Sequence, residues 1–158
     1  MISQRSRYAL KALIRLVRAD KGASLSTRVI AAAEEIPVSF LEQIMLDLKR
    51  AGFVGSRRGK EGGYFIAKDP SGISLATVLR QIDGPVAPLQ CLSRTAYKRC
   101  DDCKVERTCA LRIVLRDTHE AVLAVLEKRT LAEAVARADL ESSEEGNFGP
   151  DVFAGAYI

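Results

Sequence analysis

A mainly helical fold carrying one small β-hairpin is predicted by three observations. Apolar residues recur at three and four positions in several separate stretches, the period of an amphipathic helix. One stretch, "FVGSRRGKEGGYFIAKDP", breaks that period, with apolar residues on either side of a Gly- and Arg-rich centre, as in two short strands and a turn. A later span, Thr108 to Lys128, returns to helical spacing for about six turns and about 31 Å, longer than one small domain can cover.

Each element follows in order. In "SRYALKALIRLVRADKG", Leu10, Leu13, Ile14 and Val17 form one stripe, Lys11, Arg15 and Arg18 lie off it, and Gly22 stands just past the end as a cap. Ser26 offers its hydroxyl to an orphan backbone N–H and starts a second, short helix through Glu35. Pro37 ends that helix and opens the next, in which Val38, Leu41, Ile44, Met45 and Leu48 share a stripe while Ser39, Glu42, Gln43 and Lys49 fall elsewhere. Ala51 and Gly52 close it. Strands over Phe53–Ser56 and Tyr64–Ala67 flank a turn holding Arg57, Arg58 and Lys60 at an exposed tip, where no packing role accounts for them. A helix over Ser74–Asp83 stops at Gly84 and Pro85. In the long helix, Leu111, Leu115, Thr118, Val122 and Val125 alternate at four and three, with Val114, Ala121 and Leu126 beside them, so a second subunit is expected to cover the seam. Thr130 and Glu133 have capping-box spacing for a last short helix.

Three helices, the last two joined by a tight turn, followed by a basic hairpin, make a winged helix-turn-helix. That arrangement suits duplex DNA, with a helix in the major groove and wing arginines near phosphates or a narrow minor groove. The charge agrees. Lys and Arg outnumber Asp and Glu by 13 to 7 over residues 1–70 and by 11 to 8 over 71–137, whereas residues 138–158 hold five acids and no base. A basic head with an acidic tail fits a polyanionic partner. The tail "ESSEEGNFGPDVFAGAYI" is expected to be disordered.

The start "MISQRSRYALKALIRLVRAD" alternates charge and apolarity unlike a secretion signal, and no window approaches the about 18 apolar residues of a membrane span. A cytoplasmic protein without membrane association is expected. There, the four cysteines clustered in "QCLSRTAYKRCDDCKVERTCALR", namely Cys91, Cys100, Cys103 and Cys109, point to metal binding or redox chemistry rather than a disulfide framework. Their Cys-x8-Cys-x2-Cys-x5-Cys spacing fits an iron–sulfur cluster, zinc or bare redox thiols, and spacing alone does not separate them. No phosphate-binding loop or nucleophile motif occurs, and His119, the one histidine, sits between apolar positions of the long helix, where a structural or solvent role is expected rather than catalysis, so no enzyme is expected.

The run "FLEQIMLDLKRAGFVGSRRGKEGGYFIAKDPSGISLATVLRQIDG", followed by Cys91, resembles the bacterial family of iron–sulfur winged-helix repressors that includes the iron–sulfur cluster regulator, the nitric-oxide-sensing repressor and the rhizobial iron regulator. The likeness covers residues 1–137. It implies a homodimeric, DNA-binding transcriptional repressor on a palindromic operator, controlled by a [2Fe–2S] or [4Fe–4S] cluster. It places Ser39, Glu42 and Gln43 on the recognition face and Arg58, Gly59, Gly62 and Gly63 in the wing. Cys91, Cys103 and Cys109 match the family's three ligands, and Cys100 is additional. The family's frequent fourth ligand is a histidine just after the last cysteine or an acid in the first helix. Here Arg112 stands three residues after Cys109 and "SQRSRYALK" has no acid, so either Cys100 completes an all-thiolate set within one chain or one iron carries an exchangeable ligand.

The expected organisation is a winged helix-turn-helix over 1–83, a cysteine-rich cluster loop over 84–107, a dimerisation helix with a short following helix over 108–137, and the tail over 138–158. The competing expectations are a zinc-stabilised interaction module and a cluster-free thiol regulator of the same fold.

Overall fold

The computed structural model describes residues 2–20, 22–59 and 62–144. Helix α1 spans Gln4–Arg18 and begins where the Ser3 side chain accepts the Ser6 N–H. Its buried face is Ser6, Ala9, Ala12, Leu13 and Leu16, so small residues lead the contact and the expected Leu10, Ile14 and Val17 are only half-buried. The alanines allow close approach, and α1 touches four other helices and the hairpin. Gly22 does not cap it. The helix stops at Ala19 in extended backbone, and Gly22, with φ of 85°, serves the turn beyond.

Helix α2 (Thr27–Glu34) starts with the Ser26 side chain accepting the Val29 N–H. It ends at Glu35 in left-handed conformation, with the Lys11 ammonium donating to the Glu34 carbonyl at 2.9 Å. After the short turn at Ile36 and Pro37, α3 (Val38–Arg50) buries Leu41, Ile44, Met45 and Leu48. Strands β1 (Val54–Arg57) and β2 (Gly63–Ile66) pair antiparallel in a register that sets Val54 opposite Ile66 and Arg57 opposite Gly63. Both strands are shifted one residue toward the tip from their expected positions. Leu25 adds a third, one-residue rung by exchanging backbone hydrogen bonds with Tyr64 at 2.9 and 2.8 Å.

Helix α4 (Leu75–Asp83) is capped by Ser74 and stopped by Gly84, and α5 (Ala110–Lys128) follows the cysteine loop. Its inner stripe is Leu115, His119, Leu123 and Leu126, which corrects the expected seam: Leu115 and Leu126 turn toward their own chain, where α5 packs on α4. His119 is buried, in line with a structural place. Leu111, Val114, Val122 and Val125 remain exposed, Val114 by 68%.

The Thr130–Glu133 capping box forms, with the Glu133 N–H donating to Thr130 Oγ1 at 3.2 Å and the Thr130 N–H to Glu133 Oε2 at 3.3 Å. Helix α6 then runs Leu131–Glu144. Two expectations about this end are corrected. The last helix belongs to the head rather than to a separate dimerisation unit, because Leu131 is fully enclosed in the main core and α6 packs on α1, with Arg18 bonded to Asp139 at 2.5 Å. Residues 138–144, expected in a disordered tail, are helical, continuing the helix that packs on α1, with the exposed Arg137–Glu141 pair along it. The tail from residue 145 lies outside the described residues. Among the described residues no helix is long and apolar enough to cross a membrane.

Candidate functional site

The exposed side of α3 carries Ser39, Glu42 and Gln43, because the opposite side is fixed in the core through Leu41, Ile44, Met45 and Leu48. Leu46 is exposed on the same side, one turn beyond Gln43 and Glu42. It was not singled out by the sequence, because an exposed leucine has the same signature as a core one. Two polar ties orient α3: Arg5 of α1 pairs with Asp47, and Lys49 donates to Ser56 Oγ of the wing at 2.7 Å.

In the wing, Arg58 is exposed. Arg57 is engaged: its Nη1 donates to the Gly22 carbonyl at 2.7 Å, and its guanidinium lies 4.7 Å from the centre of the Phe65 ring. Arg57 therefore has the packing role that the sequence did not reveal, bracing the wing against the α1–α2 turn. Gly62 and Gly63 also meet structural demands. A Cβ at Gly62 would lie 2.7 Å from the Arg57 carbonyl oxygen, and one at Gly63 would lie 2.4 Å from the Leu25 backbone. Gly59, with φ of 113° and open space around it, supplies the turn. Lys60 lies outside the described residues.

All four cysteines are free thiols and line one cavity of about 360 Å³. Cys91 is buried in a short 3-10 turn over Gln90–Leu92, and Cys109 immediately precedes α5. Between them the chain is ordered by its own hydrogen bonds. Ser93 Oγ accepts from the Ala96 N–H at 3.0 Å, the Cys103 N–H donates to the Cys100 carbonyl at 3.2 Å, and Arg99 donates to the carbonyls of Cys103 and Lys104 at 2.6 and 2.8 Å. A hydrogen bond with Cys91 is the main cause that raises the Cys100 thiol above its ordinary range, with burial adding to it. Lys104 and Asp102 also border the cavity, as does Arg112, whose Nη2 reaches the Cys91 carbonyl at 3.5 Å.

Four sulfur donors around one space match the soft-ligand chemistry of iron, sulfide and zinc. Among the described residues, no three His, Cys, Asp or Glu side chains are yet spaced to hold an ion together. The four thiols border one cavity, and loading would require them to draw together.

At the loop's origin, Asp83 accepts the Ser3 N–H at 3.1 Å and the Ser3 hydroxyl. Arg5, two residues on, joins Asp47 of α3. These partners are 80 and 42 residues apart, so no local pattern announces them.

A helix-turn-helix with an exposed third helix and a braced wing defines a DNA-binding regulator. The chain belongs to the Rrf2 family, described as iron-dependent transcriptional regulators, which it matches over residues 2–137. An rrf2-like HTH-type transcriptional regulator of Rhodobacter capsulatus is 44% identical over 139 residues, covering 86% of this chain and 93% of its own length. The HTH-type transcriptional regulator NsrR of Geobacillus kaustophilus is 32% identical over 136 residues, covering 85% and 90%. The structure of CymR, the global cysteine regulator of Bacillus subtilis, superposes with a TM-score of 0.72 at 28% identity, covering 87% of this chain and 97% of that one. The protein is thus a DNA-binding transcriptional regulator and not an enzyme.

Proposed function

We propose that the protein is a homodimeric repressor whose grip on a palindromic operator is controlled by an iron–sulfur cluster held by Cys91, Cys100, Cys103 and Cys109. The observation that carries this proposal is the convergence of the four thiols on one cavity. Cys91, Cys103 and Cys109 take the family positions, and Cys100 supplies the fourth thiolate from the same chain. A bound cluster supplies metal–sulfur bonds that respond to iron supply or redox state.

The residues of the chain transmit that state. Cys91 follows α4 by one short loop and Cys109 adjoins α5, so drawing the thiols together repositions both helices. Asp83, at the end of α4, holds Ser3, and Arg5 holds Asp47 on α3. This gives a contiguous route from loop to recognition helix. The exposed Leu111, Val114, Val122 and Val125 support a second copy of the chain on α5, and two-fold symmetry then matches two half-sites. Within each head, Ser39, Glu42 and Gln43 face base edges, Arg58 and Lys60 face phosphate or a narrow minor groove, and Arg57 with Gly59, Gly62 and Gly63 holds the wing in shape. A loaded form that fits both half-sites better by about 2.7 kcal/mol binds about a hundredfold tighter.

A cluster-free thiol regulator is favoured by one observation, that all four cysteines stand as free thiols. Anaerobic purification separates the two. Brown protein with visible absorption, iron and acid-labile sulfide is the expected result. Colourless protein with zinc, or without metal, would overturn the cluster assignment.

A further inference from the structure

The cysteine cavity contains a cation whose hydrogen-bonding capacity is only partly used. Arg112, on α5 three residues after Cys109, lines the cavity with all four thiols. Its Nε is buried and has no hydrogen-bond partner. Its Nη2 lies 3.5 Å from the Cys91 carbonyl, the outer limit of a hydrogen bond. Among the described residues no carboxylate lies within ion-pair distance of it. Guanidinium does not deprotonate in proteins, so it cannot relieve this shortfall by losing its charge. A partly buried, always-charged group with one long hydrogen bond and a buried Nε–H left unpaired is costly unless an anion comes to it.

We infer that Arg112 is a positioning residue that directs N–H groups at the sulfur atoms of the loaded cysteine site and sets its reduction potential. The inference rests on the cluster assignment above. Cysteine thiolates carry negative charge into the cavity, and reduction adds one more. Charge-assisted donors stabilise the more negative, reduced form by more than the oxidised one, which moves the potential upward. Lys104 borders the same cavity but is exposed at its edge, where water screens it.

The test compares the reconstituted full-length protein with Arg112→Ala, Arg112→Gln and Arg112→Lys, reading the midpoint potential from the visible bands during an anaerobic redox titration. Arg112→Ala and Arg112→Gln are expected to shift the equilibrium about tenfold toward the oxidised form, about 59 mV more negative for a one-electron couple, with Arg112→Lys recovering part of the shift. If Arg112 only staples the Cys91 turn, the Ala variant loads less iron but its loaded fraction keeps the wild-type potential, and the inference is overturned. Should the Ala variant hold no cluster, alkylation of the metal-free proteins decides. A lower ratio of iodoacetate to iodoacetamide reactivity in the Ala variant, restored by Lys, supports a charge directed at the sulfurs, and an unchanged ratio overturns it. Wild-type protein that takes up no iron would instead remove the cluster assignment itself, and the potential-setting role with it.

Discussion

The helical head with its wing and the cysteine loop are ordered by different forces. In the head, Leu13, Ile30, Leu41, Ile44, Met45, Leu48, Ile73 and Leu131 are enclosed side chains drawn from α1, α2, α3, α6 and the connection into α4. In the loop, Arg99, Ser93 and backbone turns do the ordering, while Tyr97 and Val105 stay exposed. Enclosed apolar contact is lost only when the whole head opens, whereas a loop held mainly by short-range hydrogen bonds, several of them exposed, rearranges locally. The difference places the stability of the fold in one region and freedom to rearrange locally in the other.

The largest effect is expected from the head core. Leu48→Ala should lower unfolding free energy by about 2–5 kcal/mol in a urea titration, through lost burial and the cavity left behind. Cys103→Ser in metal-free protein should stay within about 0.5 kcal/mol of the parent. Equal losses in the two variants would break the division. Next comes assembly: Val114→Glu with Val122→Lys, both exposed on α5, should give monomers in sedimentation and operator binding about a hundredfold weaker, whereas a dimer of unchanged strength would place the subunit contact elsewhere.

The loop itself supplies a third comparison. Cys100→Ser should lose iron and visible absorption to the same extent as Cys91→Ser if both are ligands, because a serine hydroxyl is a harder and less acidic donor. A normal spectrum for Cys100→Ser alone would reduce the chain's own ligands to three. Smaller effects distinguish the two wing arginines. Arg58→Ala should flatten the salt dependence of operator binding by up to about one counterion. Arg57→Ala should leave that slope nearer the parent's and loosen the wing instead, seen as faster amide exchange at Tyr64 and Leu25.

The smallest effect concerns the junction between the two regions. Burial raises the Asp83 carboxyl, yet its hydrogen bonds from Ser3 outweigh burial, and the group titrates below the usual carboxylate range. A depressed carboxyl stabilises the fold above its unfolded value and loses that contribution as pH falls through the folded one. Asp83→Asn should therefore remove a slight acid-side slope in the pH dependence of the melting temperature. An identical slope in both proteins would show that Asp83 is not linked to folding.

Legibility followed the same division. Ser26, Ser74 and the Thr130–Glu133 box mark helix starts through contacts within three residues, and all three form. The wing was visible in its glycines and arginines, but the purpose of Arg57 was not, since the Gly22 carbonyl that holds it is 35 residues away. The cysteine set was visible as a cluster, while the place of Arg112 within it depended on how α5 leaves the loop.

By itself, then, the sequence determined what local chemistry controls: the periodicity and caps that make the helices, the turn that makes the wing, and four sulfur donors close together in the chain. Tertiary structure decided what distant neighbours control. It turned Leu115 inward and left Val114 outward, drew α6 back onto α1, tied Asp83 through Ser3 and Arg5 toward Asp47, and set Arg112 beside the thiols. Helical period fixes which residues share a face to within a fraction of a turn. Only the packing of one element on another selects which of those faces is enclosed.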